Sequence, residues 1–179
     1  MRRLAPVALA LLLIASILAP PAAAAKETAT DPNDTGGRLD IVELSFKGEA
    51  GGTNTIKLKT QNPWGCKFLR QGVKTSLNWH FDDGEDGDND LVGKFVCVNA
   101  NSNDPELVLK LHGTDSNNNY DPVPTKRPDK KTVKVTFPFD IGEFESEHAS
   151  AHARSKDAIS EGCDVCVDRA PDTGGLTLY

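Results

Sequence analysis

The sequence predicts an all-β protein, an antiparallel β-sandwich of the jelly-roll kind built as a single domain. Three observations predict it. Apolar residues recur at every second position along most of the chain, the period of a strand with one face in a core. Clusters of Gly, Asn, Asp and Ser separate these runs at short spacing. No run between them keeps the 3.6-residue period of a helix long enough to cross over a sheet.

The first segment is an export signal. Arg2 and Arg3 are followed by an apolar run from Leu4 to Leu18, then Pro20-Pro21 and the small residues Ala22 to Ala25 before Lys26. A charged start, a short apolar stretch and a small-residue cleavage site make a secretory leader, and the run is too short to span a bilayer. The arginine pair also invites twin-arginine export, but its surroundings fit general secretion better. The expected division is residues 1–25 as signal peptide, 26–37 as an extended N-terminal segment and 38–179 as the β-sandwich. The expected location is extracellular, with no membrane attachment after cleavage.

The strands follow in order. Leu39 and Ile41 begin one run, which Val42, Leu44 and Phe46 continue after a change of phase. Ile56 and Leu58 alternate with lysines. Leu77, Trp79 and Phe81 alternate with Ser76, Asn78 and His80. Val96 and Val98 flank Cys97. Leu107, Leu109 and Leu111 form the next run, and Val133, Val135, Phe137 and Phe139 the one after. The proline-bearing stretch from Asn117 to Lys131 reads as a long surface loop. His148 and His152 sit in a stretch of small and polar residues that suits a helix or a strand. Its β surroundings favour a strand with two solvated histidines. Trp79 reads as core and Trp64 as a loop anchor.

Composition narrows the partners. The chain has 20 Lys+Arg against 26 Asp+Glu. Two of the arginines belong to the leader, so its removal takes the net charge from −6 to −8. An acidic domain repels phosphate backbones, so nucleic acid is a poor partner and none is expected. Cys66, Cys97, Cys163 and Cys166 are an even set in an exported chain, so two disulfides are expected. Cys66–Cys97 with Cys163–Cys166 is the favoured pairing. The C-x-x-C spacing of the second pair also admits a metal or redox role, which its loop-then-strand flanks disfavour.

One stretch carries chemistry. Between Asp82 and Asp90 stand five aspartates and a glutamate, separated by glycines and one asparagine. Oxygens packed so closely repel one another unless a hard cation collects them. Acids at the first, fifth and ninth places and glycine at the sixth follow a calcium-loop pattern. Asp82, Asp86 and Asp90 are the expected side-chain ligands of calcium, with Asp88 offering its carbonyl. The loop resembles integrin-type and dockerin-type calcium loops. It departs from them at the third place, where Gly84 stands instead of Asp or Asn, and at the twelfth, where Gly93 stands instead of Glu.

Two further segments bracket the domain. Asp31-Pro32-Asn33-Asp34-Thr35-Gly36-Gly37-Arg38-Leu39-Asp40-Ile41 opens it, and Val167-Asp168-Arg169-Ala170-Pro171-Asp172-Thr173-Gly174-Gly175 closes it. Together they resemble a group of bacterial secreted β-sandwich domains. Those domains begin with D-x-x-D-x-x-G-x-L-D-I and end on a cysteine followed by D-R-A-P-D/N-x-G. The resemblance implies a fold and a compartment and no particular chemistry. Because termini of one domain commonly lie close together, Asp31, Asp34 and Asp40 are expected near Asp168 and Asp172. Turn capping by Asx side chains is the favoured account of these aspartates, and a shared ion the sharper one.

No nucleophile elbow, zinc-protease motif or phosphate-binding glycine loop is present in the sequence. The reading is therefore a secreted, non-catalytic binding module for carbohydrate or a cell-surface component, held by calcium and disulfides. The alternatives are a small hydrolase using acidic residues, and a secreted inhibitor or structural protein displaying Tyr120 to Arg127.

Overall fold

A computed structural model describes residues 25–32, 34–35, 37–48, 53–70, 75–82, 91–113, 120–137, 148–155, 166–172 and 175–178. Among them are eleven strands: β1 (Ala25–Thr30), β2 (Ile41–Gly48), β3 (Thr55–Thr60), β4 (Ser76–Asp82), β5 (Leu91–Val98), β6 (Glu106–Gly113), β7 (Val123–Lys126), β8 (Thr132–Thr136), β9 (His148–Ser155), β10 (Cys166–Ala170) and β11 (Leu176–Thr177). Every pairing is antiparallel. Ten strands form one path, β1-β2-β3-β8-β7-β6-β5-β4-β9-β10, and β11 pairs with β9 beyond the end of β10. The all-β class is as expected. The finer geometry is one sheet curled almost into a barrel: β10 packs against β2, and β11 against β1 and β2.

The curl gives two facing halves, and β7 joins them. It pairs with β6 through Val108↔Pro124 and Leu109↔Val123, and with β8 through Thr125↔Val135 and Lys126↔Lys134. The stretch expected to be a long loop therefore contains a strand. Its prolines disguise it, since Pro124 has no N–H to give the ladder and fits only a short, marginal strand. The Thr125 hydroxyl compensates by donating to the Leu107 carbonyl at 2.8 Å. The sheet also begins earlier than expected. β1 lies wholly within residues expected to be leader end or extended segment, yet it pairs along its length with β2, from Ala25↔Gly48 to Thr30↔Glu43.

Alternation places the core. Leu77, Trp79 and Phe81 of β4, Ile56 and Leu58 of β3, and Val133 and Val135 of β8 point inward and are buried. The phase change in β2 is a bulge between Ile41 and Glu43, which lets Ile41, Leu44 and Phe46 all face the core. In β5 the inward residues are Leu91, Gly93 and Phe95, while Val96 and Val98 are half-buried on the other phase or at the strand end. Gly93 pairs with Trp79. A Cβ there would come within 3.1 Å of both Leu109 and Leu111, so glycine makes room beside the indole. Ala149, Ala151 and Ala153 give β9 a small-residue inner face.

The connection after β3 anchors to both neighbours. Trp64 is buried, with its backbone N–H donating to the Lys130 carbonyl at 3.1 Å and the Arg127 guanidinium 3.9 Å above its ring. A 3-10 turn, Cys66–Arg70, follows. Cys66 and Cys97 form the expected disulfide and staple this turn to the end of β5. Cys163 and the Cys166 side chain lie outside the described residues, and so does their expected pairing. No helix among the described residues is long and apolar enough to cross a membrane.

Candidate functional site

Of the four expected calcium ligands, Asp82 is described. It ends β4, half-buried, with its strand paired to β9 through Asp82↔His148. Asp86, Asp88 and Asp90 lie outside the described residues. The strands that flank the loop are in register, Phe81 opposite Leu91, as a hairpin requires. The inward position of Gly93 explains why the twelfth place of the loop holds no acid. A glutamate there would enter the core beside Leu109 and Leu111 instead of reaching back to an ion.

The two bracketing segments do converge. Asp31 follows β1, and its N–H bonds the Val42 carbonyl at 3.1 Å. The chain then turns back toward β2, where Gln61 N–H bonds the Asp40 carbonyl at 2.7 Å. Asp168 comes from β10. That strand alternates Val167 outward, 53% exposed, Asp168 inward, Arg169 outward and Ala170 inward. One Asp168 oxygen accepts the N–H of Ile41, which ties β10 to the start of β2 where the curled sheet nearly closes. Carboxylate oxygens of Asp31, Asp34 and Asp168 lie within 4.8 Å of one another. Asp168 is 3% exposed and Asp31 8%, whereas Asp34 is exposed.

These acids are held in an unfavourable setting. Burial raises the Asp168 pKa to about 7, against the pull of the Ile41 N–H, and Asp31, Asp40 and Asp34 push it the same way. Burial likewise raises Asp31 to about 6, reinforced by Asp172, Asp34 and Asp40, with only the Asp172 N–H opposing. The second oxygen of Asp168 has no hydrogen-bond partner, and the Asp31 carboxylate has only the Asp172 N–H near it.

A second polar cluster lies on the outer face of β4 and β9. His80, expected only as a spacer between core residues, stacks on His152 with ring centroids 4.1 Å apart. His148 and His152 do lie on a strand, but they are not simply solvated. Both are half-buried, and His148 Nδ1 and His152 Nε2 are shielded from water. Burial lowers the His152 pKa to about 4, and His80 and Arg169 lower it further, so the ring is neutral at neutral pH. Two depressions meet at His80. One, about 350 Å3, is lined by Asn78, His80, Lys94, His152 and Arg154. The other, about 290 Å3, is lined by His80, Asp82, His148, Ser150 and Arg169. Strand alternation was the signal for this face: His80 occupies the polar phase of the Leu77-Trp79-Phe81 run, and the antiparallel pairing with β9 supplies the other two rings. The sequence does not disclose that pairing.

Comparison with known proteins returns no matching family model, no matching curated protein and no matching solved structure.

Proposed function

We propose that the chain is an exported, non-catalytic binding module that takes a polar ligand, such as a carbohydrate of a cell surface, on the outer face of β4, β9 and β10. The observation that carries this reading is the pair of joined depressions around His80. Their walls hold Asn78, Asp82, Ser150, Arg169 and the three half-buried imidazoles of His80, His148 and His152. The Asn78 amide, the Asp82 carboxylate and the Arg169 guanidinium supply donors and acceptors that match the hydroxyls of a sugar, beside the neutral His152 ring. Aromatic stacking contributes little, because Trp79 is 0% exposed and Trp64 is buried under Arg127. Binding by hydrogen bonds alone on an open face favours moderate affinity and an extended ligand.

The leader and the disulfide fit an oxidising compartment, and the acidic charge argues against nucleic acid. Calcium at Asp82, Asp86, Asp88 and Asp90 is part of the same proposal, as a brace for the β4–β5 hairpin beside the groove. The segment offered for an inhibitor, Tyr120 to Arg127, contains β7 with Val123 buried, so it is less free to be displayed as a loop. A glycan array on the purified chain tests the reading. Binding that is lost in His152→Ala and Asn78→Ala supports it. Binding to no glycan, or turnover of polysaccharide or ester substrates, overturns it, the latter in favour of a hydrolase.

A further inference from the structure

We propose that Asp31, Asp34 and Asp168 hold a calcium ion at the seam where β10 meets the start of β2. This site shares no residue with the Asp82–Asp90 loop or with the groove on β4 and β9. The cluster alone would not carry the inference, since aspartates in turns are common. The second observation is the buried oxygen of Asp168. The side chain is 3% exposed, one oxygen is taken by the Ile41 N–H, and the other has no hydrogen-bond partner while its group faces Asp31 and Asp34. Asp31, 8% exposed, repeats the pattern from the opposite side of the seam.

The same molecule shows what a turn-capping aspartate looks like. Asp129 accepts from the N–H groups of Lys131 at 2.7 Å and Thr132 at 2.9 Å, and from the Thr132 hydroxyl at 2.9 Å. Those donors draw its pKa below the ordinary value. Asp31 and Asp168 have the reverse: buried oxygens short of donors, and neighbouring charges that are chiefly other carboxylates. A buried unpaired charge is costly, and a divalent cation removes the cost for several at once. All the donors are hard carboxylate oxygens, which suits calcium or magnesium and not zinc. Calcium is the better fit. It accepts irregular, many-oxygen sites such as one built from three chain segments, where magnesium demands near-ideal octahedral geometry. An ion here would join β1, β2 and β10, the strands at the two ends of the sheet path.

The experiment uses the chain expressed with its leader, purified from culture medium and stripped with chelator. Bound calcium per chain is measured by equilibrium dialysis, and the melting temperature with and without millimolar calcium. Three variants are compared: Asp34→Asn, Asp168→Asn, and the loop double variant Asp86→Ala, Asp90→Ala. Asp34 is exposed, so Asp34→Asn should fold as well as wild type in chelator. The proposal expects calcium to raise the wild-type melting temperature and the loop variant to keep a bound ion. It also expects Asp34→Asn and Asp168→Asn each to bind one ion fewer. No calcium response in wild type overturns it. So does calcium content unchanged in Asp34→Asn, or an equal thermal shift from magnesium.

Discussion

Asp168 on β10 and His152 on β9 are near neighbours in the sheet that point to opposite sides of it. Asp168 pairs with Ala153 and faces inward, while Arg169 pairs with His152 and both face outward. Burial acts on both in the same sense, toward the neutral form. It lifts the acid to about 7 and drops the base to about 4. At neutral pH the outcomes differ. The imidazole has already lost its proton and rests as a hydrogen-bonding group. The carboxyl is only part-way to its charged form, with Asp31 beside it at about 6. A buried base can therefore wait for a neutral ligand, whereas a buried acid of this kind calls for a cation. The groove and the seam are one physical effect applied to groups of opposite charge type.

The largest expected effect separates global stability from this local contrast. Cys66–Cys97 closes the loop containing β4 and involves none of the seam carboxylates. Replacing both cysteines by serine should lower stability by about 3 kcal/mol, through a less restricted unfolded chain. Urea denaturation measures it. The calcium increment in melting temperature should survive unchanged, and its loss would mean that the seam depends on the disulfide-bearing half.

A smaller effect sharpens the contrast directly, as opposite pH slopes in chelator. Asp168 is raised in the folded state above its ordinary 3.8, with Asp31, Asp40 and Asp34 facing it. Its favourable contribution is thus full below about pH 4 and lost as pH rises toward 7. His152 is lowered from 6.5, with His80 and Arg169 facing it. Its contribution is full above about pH 6.5 and lost as pH falls toward 4. Asp168→Asn keeps an acceptor for the Ile41 N–H and should flatten the loss on the alkaline side. His152→Asn should flatten the loss on the acid side. The two windows overlap between about pH 4 and 6.5, so thermal melts there should show stability rising more steeply with pH in Asp168→Asn and less steeply in His152→Asn; changes of slope of the same sign would break the comparison.

The sequence made some of this legible and hid the rest for identifiable reasons. The inner faces of β3, β4 and β8 were readable because their alternation is strict and their apolar residues large. β9 was harder, since its inner face is Ala149, Ala151 and Ala153, too small to signal a core. β7 was hidden by Pro122 and Pro124. The meeting of Asp31 and Asp34 with Asp168 was open to inference from paired terminal motifs, because the ends of one domain commonly lie close together. Which of those acids would be buried was not, since that depends on Asp168 falling on the inward phase of β10. His80 stood in plain alternation, but its stacking on His152 needed the β4–β9 register, which couples segments about seventy residues apart.

The central claim is that buried seam carboxylates, and not ordinary surface acids, take up calcium. It is tested most directly by the calcium-induced rise in melting temperature, measured in wild type at calcium near half-saturation and plotted against pH. Protons compete with the ion for the same oxygens, so the rise should fade as those carboxyls protonate. With Asp31 at about 6 and Asp168 at about 7, the fade should be centred between pH 6 and 7. A rise that holds undiminished down to pH 5 and fades only near pH 4, where exposed carboxylates titrate, would contradict the account.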